Sequence, residues 1–151
     1  DADFFAHMEE IDLCWRLQLA GHRIRIVPAS TVYHLGGGTL APDSPRKVFF
    51  NHRNNLAMLY KCASPLQRLA VAVVRPALDL AAACSYLLQG RAANFRAVFR
   101  AYRDFLRWHG ALARKRRAIR RAGKARASAP IYRGSIVLRY LFGGRTFGRM
   151  M

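Results

Sequence analysis

The sequence predicts an α/β region over residues 1–62, a mainly helical and basic extension over residues 63–127, and a tail over residues 128–151 with no assigned element. Short strand-like and helix-like patterns alternate in the first region, whereas the second has a nearly continuous helical pattern. The 151-residue chain has a formal net charge of +18. Five of its eight acids lie in the first twelve positions, and all 26 Lys and Arg follow them. This segregation indicates two separate tasks rather than one uniform binding face.

The first region begins with a predicted helix from about Glu10 to Ala20, because its apolar residues recur at helical spacing. Gly21 suits the position that ends such a helix. Residues 23–27 alternate polar and apolar side chains and predict a half-buried strand, and residues 31–33 predict a second short strand. The three glycines of residues 35–39 predict a mobile loop. These two strands are the basis of the α/β prediction.

Two Ser-Pro pairs predict the starts of the next helices. Serine favours the N-cap and proline the first helical position. The helix after Ser44 is predicted to reach about Tyr60, and the helix after Ser64 to reach about Leu88.

The second of these helices contains an apolar stretch, residues 69–88, that is long enough to cross a bilayer. Arg75 and Asp79 lie in its middle, where charges are costly unless they pair at their i, i+4 spacing. The alternatives to a membrane span are a helix in the membrane interface and a helix packed on the protein.

A basic amphipathic pattern follows. Its apolar stripe consists of Phe95, Val98, Phe99, Tyr102, Phe105 and Leu106, and four arginines flank it (Arg96, Arg100, Arg103 and Arg107). Such a helix is typical of an anionic membrane surface, but it is equally consistent with packing on its own domain.

The candidate chemistry lies in an acidic cluster made of Glu9, Glu10 and Asp12. Acidic residues favour a helix N-terminus, so the cluster can be purely structural. Crowded carboxylates also raise one another's pKa, which suits a general base or a metal site. His34 follows the second predicted strand, where an imidazole is either a metal ligand or a structural residue.

The string from Asp3 to Leu17 resembles the acidic motif of family 2 glycosyltransferases. In that motif two adjacent acids, a hydrophobic residue and Asp-Leu open a helix that ends in a glycine. The match continues in Gly21-His22-Arg23-Ile24, Val27-Pro28-Ala29, Val32-Tyr33-His34, Gly36-Gly37-Gly38-Thr39 and Asn51-His52-Arg53-Asn54-Asn55. The resemblance implies that residues 1–62 are the C-terminal part of a GT-A catalytic domain.

The resemblance also implies a reaction and roles for residues. A sugar passes from a nucleotide-sugar donor to an acceptor hydroxyl with inversion, and Glu10 is the catalytic base. Glu9 has a supporting or orienting role, whereas Asp12 either contacts the acceptor or pairs with Arg16. Trp15 is expected to contact substrate.

The remaining implied roles concern the donor. His34 is expected to bind a divalent metal, Mg²⁺ or Mn²⁺, that balances the leaving diphosphate. Gly36, Gly37, Gly38 and Thr39 form a loop that closes over the substrate. Arg53 faces the diphosphate or the acceptor, or else has a structural role.

The family's donor-binding half and its DxD metal motif are not found upstream of the acidic cluster. The letters Asp1-Ala2-Asp3 lie directly before the base motif, which is the wrong place. We therefore expect a truncated protein whose isolated 151 residues are inactive.

The expected partners are a nucleotide-sugar donor, a glycan or lipid-linked acceptor and an anionic membrane surface. The expected location is the cytoplasmic face of a bacterial inner membrane, in cell-surface polysaccharide or glycolipid synthesis. The alternative is a basic module without catalysis that binds a membrane surface or nucleic acid, although the basic region lacks a recognisable nucleic-acid-binding motif. A metal-dependent hydrolase that uses the acidic cluster and His34 is a further rival.

Overall fold

The computed structural model describes residues 1–33, 40–41 and 44–123. A short 3-10 helix at Ala2–Phe4 precedes four α-helices. These are α1 (Glu9–Leu19), α2 (Pro45–Cys62), α3 (Pro65–Leu88) and α4 (Ala92–Ala122). Within the described ranges 76% of residues are helical and none is in a strand. The predicted α/β class, and with it the partial GT-A fold, is therefore wrong.

The error concerns the two predicted strands. Residues 22–33 have irregular backbone and are exposed, with Ile26 88% and Val32 84% accessible. Alternation of polar and apolar residues describes a strand only if another strand supplies hydrogen bonds and an apolar face covers one side. The described part of the chain supplies neither, so the pattern forms no sheet.

The predicted end of the first helix is confirmed. Gly21 has φ of 88°, which a residue with a side chain adopts only at a cost. Its N–H donates to the carbonyl of Gln18, and the N–H of His22 donates to that of Leu17. These are the two hydrogen bonds of a Schellman motif.

Both predicted serine caps are also confirmed. The Ser44 hydroxyl accepts a hydrogen bond from the backbone N–H of Lys47 at the start of α2. Ser64 and Gln67 form a reciprocal capping box at the start of α3. Only Ala63 and Ser64 separate the two helices, so the chain reverses sharply between them.

The bundle is built around α2. Arg53 bonds Asp104 and Tyr60 bonds His109, so α2 and α4 run in the same direction. Two apolar clusters fill the interior. One contains Phe4, Ala57, Met58 and Leu112, and the other contains Val48, Ala83, Ala97 and Val98.

The apolar stripe on α4 packs inside this bundle. Val98 is buried, and Phe95, Tyr102 and Phe105 are partly buried against the two clusters. Only Phe99 and Leu106 of the stripe are exposed. Of the two predicted alternatives for this stripe, packing on its own domain is therefore the one observed.

A buried polar cluster joins α3 to the other helices. Asp79 is 3% exposed and accepts hydrogen bonds from Arg75 Nε at 2.9 Å and from the Tyr102 hydroxyl at 2.7 Å. Arg75 also donates to the Asn55 side chain. The Arg75–Asp79 pairing predicted from their spacing is thus confirmed. Burial and the hydrogen bond to Asp79 raise the pKa of Tyr102, so its hydroxyl remains a donor at neutral pH.

We expect Asp79→Asn to lower the free energy of unfolding by about 3 kcal/mol, because Arg75 would lose its partly buried counter-charge. Urea denaturation followed by circular dichroism measures this change. Tyr102→Phe, which deletes one hydrogen bond, serves as a comparison with an expected loss of about 1 kcal/mol. An Asp79→Asn protein as stable as the wild type would contradict this role for Asp79.

Candidate functional site

The segment that precedes the acidic cluster has an uncommon backbone. Phe5, His7 and Met8 have φ of 63°, 68° and 69°, respectively, and none of them is glycine. Each such residue costs on the order of 1–3 kcal/mol and persists only where the surroundings impose it. Met8 is also the N-cap of α1, so this backbone sets where the helix begins. Strain of this kind is common at functional sites, so the residues that follow are candidates for such a site.

Asn54 imposes this conformation from α2. It is fully buried, and its side-chain nitrogen donates to the carbonyls of Phe4 at 2.9 Å, Ala6 at 2.8 Å and His7 at 2.9 Å. The side chain of Phe4 is fully buried in the core beneath the same turn. One amide group therefore fixes the course of the backbone up to the first turn of α1.

Arg53 reinforces the same segment. Its Nη2 donates to the carbonyls of Asp3 and Phe4, its Nε donates to the Asn54 side-chain oxygen, and its Nη1 pairs with Asp104 at 3.3 Å. Burial lowers the pKa of the Arg53 guanidinium, and Asp104 opposes that shift. Of the two roles considered for Arg53, these contacts match the structural one.

The aromatic rings around Arg53 also support a structural role for this residue. Its guanidinium carbon lies 4.2 Å from the Trp108 ring centroid and 4.9 Å from that of Phe50. Cation–π contacts of this length stabilise a guanidinium that has left water. The side chain is therefore held on several sides by protein groups.

Asp12 lies at the centre of a second buried network. Its side chain is inaccessible, with Arg16 Nε at 2.8 Å from one oxygen and Lys61 Nζ at 2.8 Å from the other. Burial lowers the pKa of Lys61, which is only 1% exposed. The structure thus assigns Asp12 to pairing with Arg16, one of its two predicted roles, and adds Lys61 as an unforeseen partner.

Cys62, which follows Lys61 in the sequence, is also buried, and this changes the pKa of its thiol. Burial, and secondarily the Asp12 carboxylate, raise the pKa of the Cys62 thiol to about 12. The Cys62 thiol is therefore protonated at physiological pH, which disfavours it as a nucleophile.

Glu9 and Glu10 differ from Asp12 in that both are exposed. They occupy the first turn of α1, and no ion pair holds either carboxylate within the described residues. No side chain from the described part of the chain caps this helix N-terminus, so its free N–H groups and positive dipole end face the same region as the two carboxylates. Two carboxylates on a rigidly held helix end are suited to accept a proton from a bound hydroxyl.

The other predicted site residues divide into two groups. Trp15 is partly buried against the cluster that contains Phe4, so at least part of its ring serves packing. His34, Gly36, Gly37, Gly38 and Thr39 lie outside the described residues. The expectation of a metal at His34 therefore stays a prediction. Within residues 1–33, 40–41 and 44–123, no three His, Cys, Asp or Glu side chains lie close enough together to hold a metal ion.

Sequence reasoning missed the structural importance of Asn54, Lys61 and Arg116. All three are buried polar residues on helices that otherwise bury apolar side chains. Arg116 donates to the carbonyls of Tyr60, Lys61 and Ala63, which are free at the end of α2. A usable signal was the position of these residues on the inward faces of their helices, since a polar residue there needs a partner.

Comparison of the chain with known proteins finds no matching family model, no matching curated protein and no matching solved structure. The resemblance to family 2 glycosyltransferases therefore depends on the motif residues alone.

We expect Asn54→Asp to lower the free energy of unfolding by about 3 kcal/mol, because a carboxylate of the same shape would face three carbonyls that it cannot pair. Thermal denaturation measures the loss, and limited proteolysis shows whether cleavage begins before Glu9. Asn51→Asp, the same change at a partly exposed position on α2, is the control. Equal stability of the Asn54→Asp and Asn51→Asp proteins would show that the clamp is not needed.

Proposed function

We propose that this chain belongs to an inverting glycosyltransferase that acts at a membrane surface, and that Glu10 is its catalytic base. The observation that carries the proposal is the exposed Glu9–Glu10 pair at an uncapped helix N-terminus, positioned by a strained segment that Asn54 and Arg53 clamp. Two further observations support it. The motif residues match in order, and the Arg53-Asn54 pair that the motif includes contacts the segment before the acids.

The proposed reaction is a single displacement. The acceptor hydroxyl oxygen attacks the anomeric carbon, the bond from that carbon to the diphosphate oxygen breaks, and the configuration inverts. Glu10 takes the hydroxyl proton as the new bond forms, and Glu9 orients the acceptor. His34 is the proposed ligand of a Mg²⁺ or Mn²⁺ ion, which when bound would supply positive charge to offset the leaving diphosphate. The described residues contribute the base and the acceptor side.

The membrane part of the proposal is based on α3, which is long and apolar enough to cross a bilayer. Only 11% of its most apolar window is buried within the protein. Its three charged residues, Arg68, Arg75 and Asp79, lie within about 40° of one another around the helix and face α2 and α4. The outward-turned side of the helix exposes the large apolar side chains of Leu66, Val73, Leu80, Leu87 and Leu88.

A helix on the surface of a soluble protein turns its polar face to water, whereas α3 turns its apolar face outward. A chargeless outer face on a chain of net charge +18 complements an anionic bilayer, with leucines in the acyl region and arginines among the headgroups. We propose that α3 lies in the interface of a bacterial inner membrane, on the cytoplasmic side. Glu10 would then meet a glycan or lipid-linked acceptor at that surface.

The second candidate function is a basic membrane-surface module without catalysis. The exposed face of α3 favours it over a nucleic-acid-binding module, since a duplex offers no apolar surface for these leucines. Both candidate functions place the protein at a membrane surface, and they differ only in whether Glu10 acts as a catalytic base.

We expect Glu10→Gln to lower the rate of sugar transfer by about 10² to 10⁴-fold, the typical contribution of a general base, and to leave donor binding unchanged. The assay uses the complete gene product, bacterial membranes as acceptor and a panel of nucleotide sugars, with release of nucleoside diphosphate as the readout. Glu10 is exposed and unpaired among the described residues, so the protein should keep its stability.

Glu9→Gln is the matched control, with an expected loss of less than about tenfold because Glu9 only orients the acceptor. Loss of donor binding in Glu10→Gln, with transfer intact at saturating donor, would contradict the base assignment. A wild-type protein that binds membranes but consumes none of the nucleotide sugars would favour the second candidate function.

We expect Val73→Gln combined with Leu80→Gln to weaken binding to vesicles of phosphatidylcholine and phosphatidylglycerol at least about tenfold, because both side chains would leave the acyl region. Cosedimentation at physiological salt measures the change. Ile26→Gln combined with Val32→Gln alters two apolar residues outside α3 that are even more exposed, and should have little effect. Similar losses in both double variants, or stronger retention on DNA than on vesicles, would count against α3 as the membrane face.

A further inference from the structure

An open apolar groove runs between α3 and α4, with α2 as its floor. It encloses about 620 Å³, within the usual range for small-molecule sites. Its walls are mostly aliphatic and aromatic and include Leu56, Leu59, Leu69, Ala72, Phe105 and Leu106. The groove exists because the polar cluster around Asp79 holds α3 against α4 at one end only, and nothing bridges the helices along its length within the described residues.

One end of the groove lies beside three arginines, Arg68, Arg116 and Arg120, which we term the arginine corner. Tyr60 fixes two of them in place. The guanidinium carbon of Arg68 lies 4.7 Å from the Tyr60 ring centroid, and Arg116 donates to the Tyr60 carbonyl at 2.8 Å. Arg120 follows Arg116 by one helical turn and is therefore on the same side of α4. Arg68 itself lines the groove.

Within the described ranges the three positive charges of the arginine corner have no acidic partner. The seven acids in the described ranges make no ion pair with any of these arginines. Arg116 is 6% exposed, and its Nη2 has no hydrogen-bond partner among the residues that the structure describes. Burial, together with the charges of Arg68 and Arg120, lowers the pKa of Arg116. Like charges brought together at this cost indicate an anion that offsets them.

Charge and shape together define the ligand. An anion alone would need no groove, and a neutral apolar ligand would need no arginines. An amphiphile with a phosphate at one end and a hydrocarbon chain at the other satisfies both features.

We propose that the groove between α3 and α4 binds one anionic phospholipid of the membrane, with its phosphate at the arginine corner and an acyl chain along the groove. Arg68 and Arg120 are partly or fully exposed and contact the phosphate. The Nη2 of Arg116 is enclosed, so Arg116 acts through its charge. The site does not depend on sugar transfer, and its phosphate-to-chain direction would fix how the protein is oriented on the bilayer.

The test uses three soluble probes: inorganic phosphate, and hexyl phosphate and octyl phosphate below their critical micelle concentrations. Isothermal titration calorimetry measures the dissociation constant of each for the full chain. Octyl phosphate should bind tightest, with a gain of up to about tenfold over hexyl phosphate for the two added methylenes. Inorganic phosphate should bind weakest. Equal affinity for all three probes would overturn the chain part of the proposal.

The variants separate the site from general attraction to a basic protein. Arg68→Gln combined with Arg120→Gln should weaken octyl phosphate binding at least about tenfold. Arg96→Gln combined with Arg100→Gln removes the same charge from exposed positions about 30 Å away along α4 and should change the affinity less than about twofold. Equal effects of the two double variants would overturn the phosphate assignment. Arg116 is left unchanged because it binds three carbonyls at the end of α2.

A third variant tests the groove without a change of charge. Ala72→Trp places a large ring in the groove from an exposed position on α3. It should reduce the affinity for octyl phosphate to near that for inorganic phosphate and leave the circular dichroism spectrum unchanged. Unaltered octyl phosphate binding would place the chain elsewhere. Because none of these variants touches Glu9 or Glu10, failure here and failure of the proposed sugar transfer are distinguishable.

Discussion

The buried polar face of α2 is the constraint on which the rest of the structure depends. Arg53 and Asn54 bind backbone carbonyls of the first seven residues, and Lys61 binds the Asp12 carboxylate. Such groups are costly to bury unless every donor finds an acceptor, so the N-terminal segment has little freedom once α2 has formed. In this way a helix more than thirty residues along the chain fixes the orientation of Glu9 and Glu10.

The need to pair buried charges also determines which face of α3 is turned outward. Its charged side chains have partners inside the bundle, where the Arg75–Asp79 pair contacts both α2 and α4. The outer face of α3 therefore carries no charged side chain. A helix arranged in this way leaves apolar surface exposed to water, which favours a bilayer as its environment. The inward charges also resolve the difficulty of Arg75 and Asp79 in an apolar stretch, because neither needs to enter the lipid.

These two features place the proposed chemistry and the proposed membrane contact on different elements. The acids stand on α1, the apolar face is on α3, and α2 contacts both. If the two proposals hold, a base on a segment clamped by α2 and a helix at the membrane would together suit an acceptor that is itself anchored in the lipid. The arginine corner lies beside the α2–α3 turn, where Arg116 binds the carbonyls of Tyr60, Lys61 and Ala63.

Local signals in the sequence determined the helices, their caps and the two i, i+4 ion pairs, because each depends only on residues within a turn or two of one another. Gly21, Ser44 and Ser64 mark helix ends through their own backbone preferences or hydroxyl groups. The sequence also singled out the acidic pair and the basic helices. It could not decide whether residues 23–27 form a strand, since a strand exists only with a partner. Nor could it decide which apolar stripe is buried, because α3 and α4 both carry one. Tertiary structure decided both, along with the partners of Asn54, Lys61 and Arg116, because these depend on contacts between residues about fifty positions apart, which no local pattern encodes.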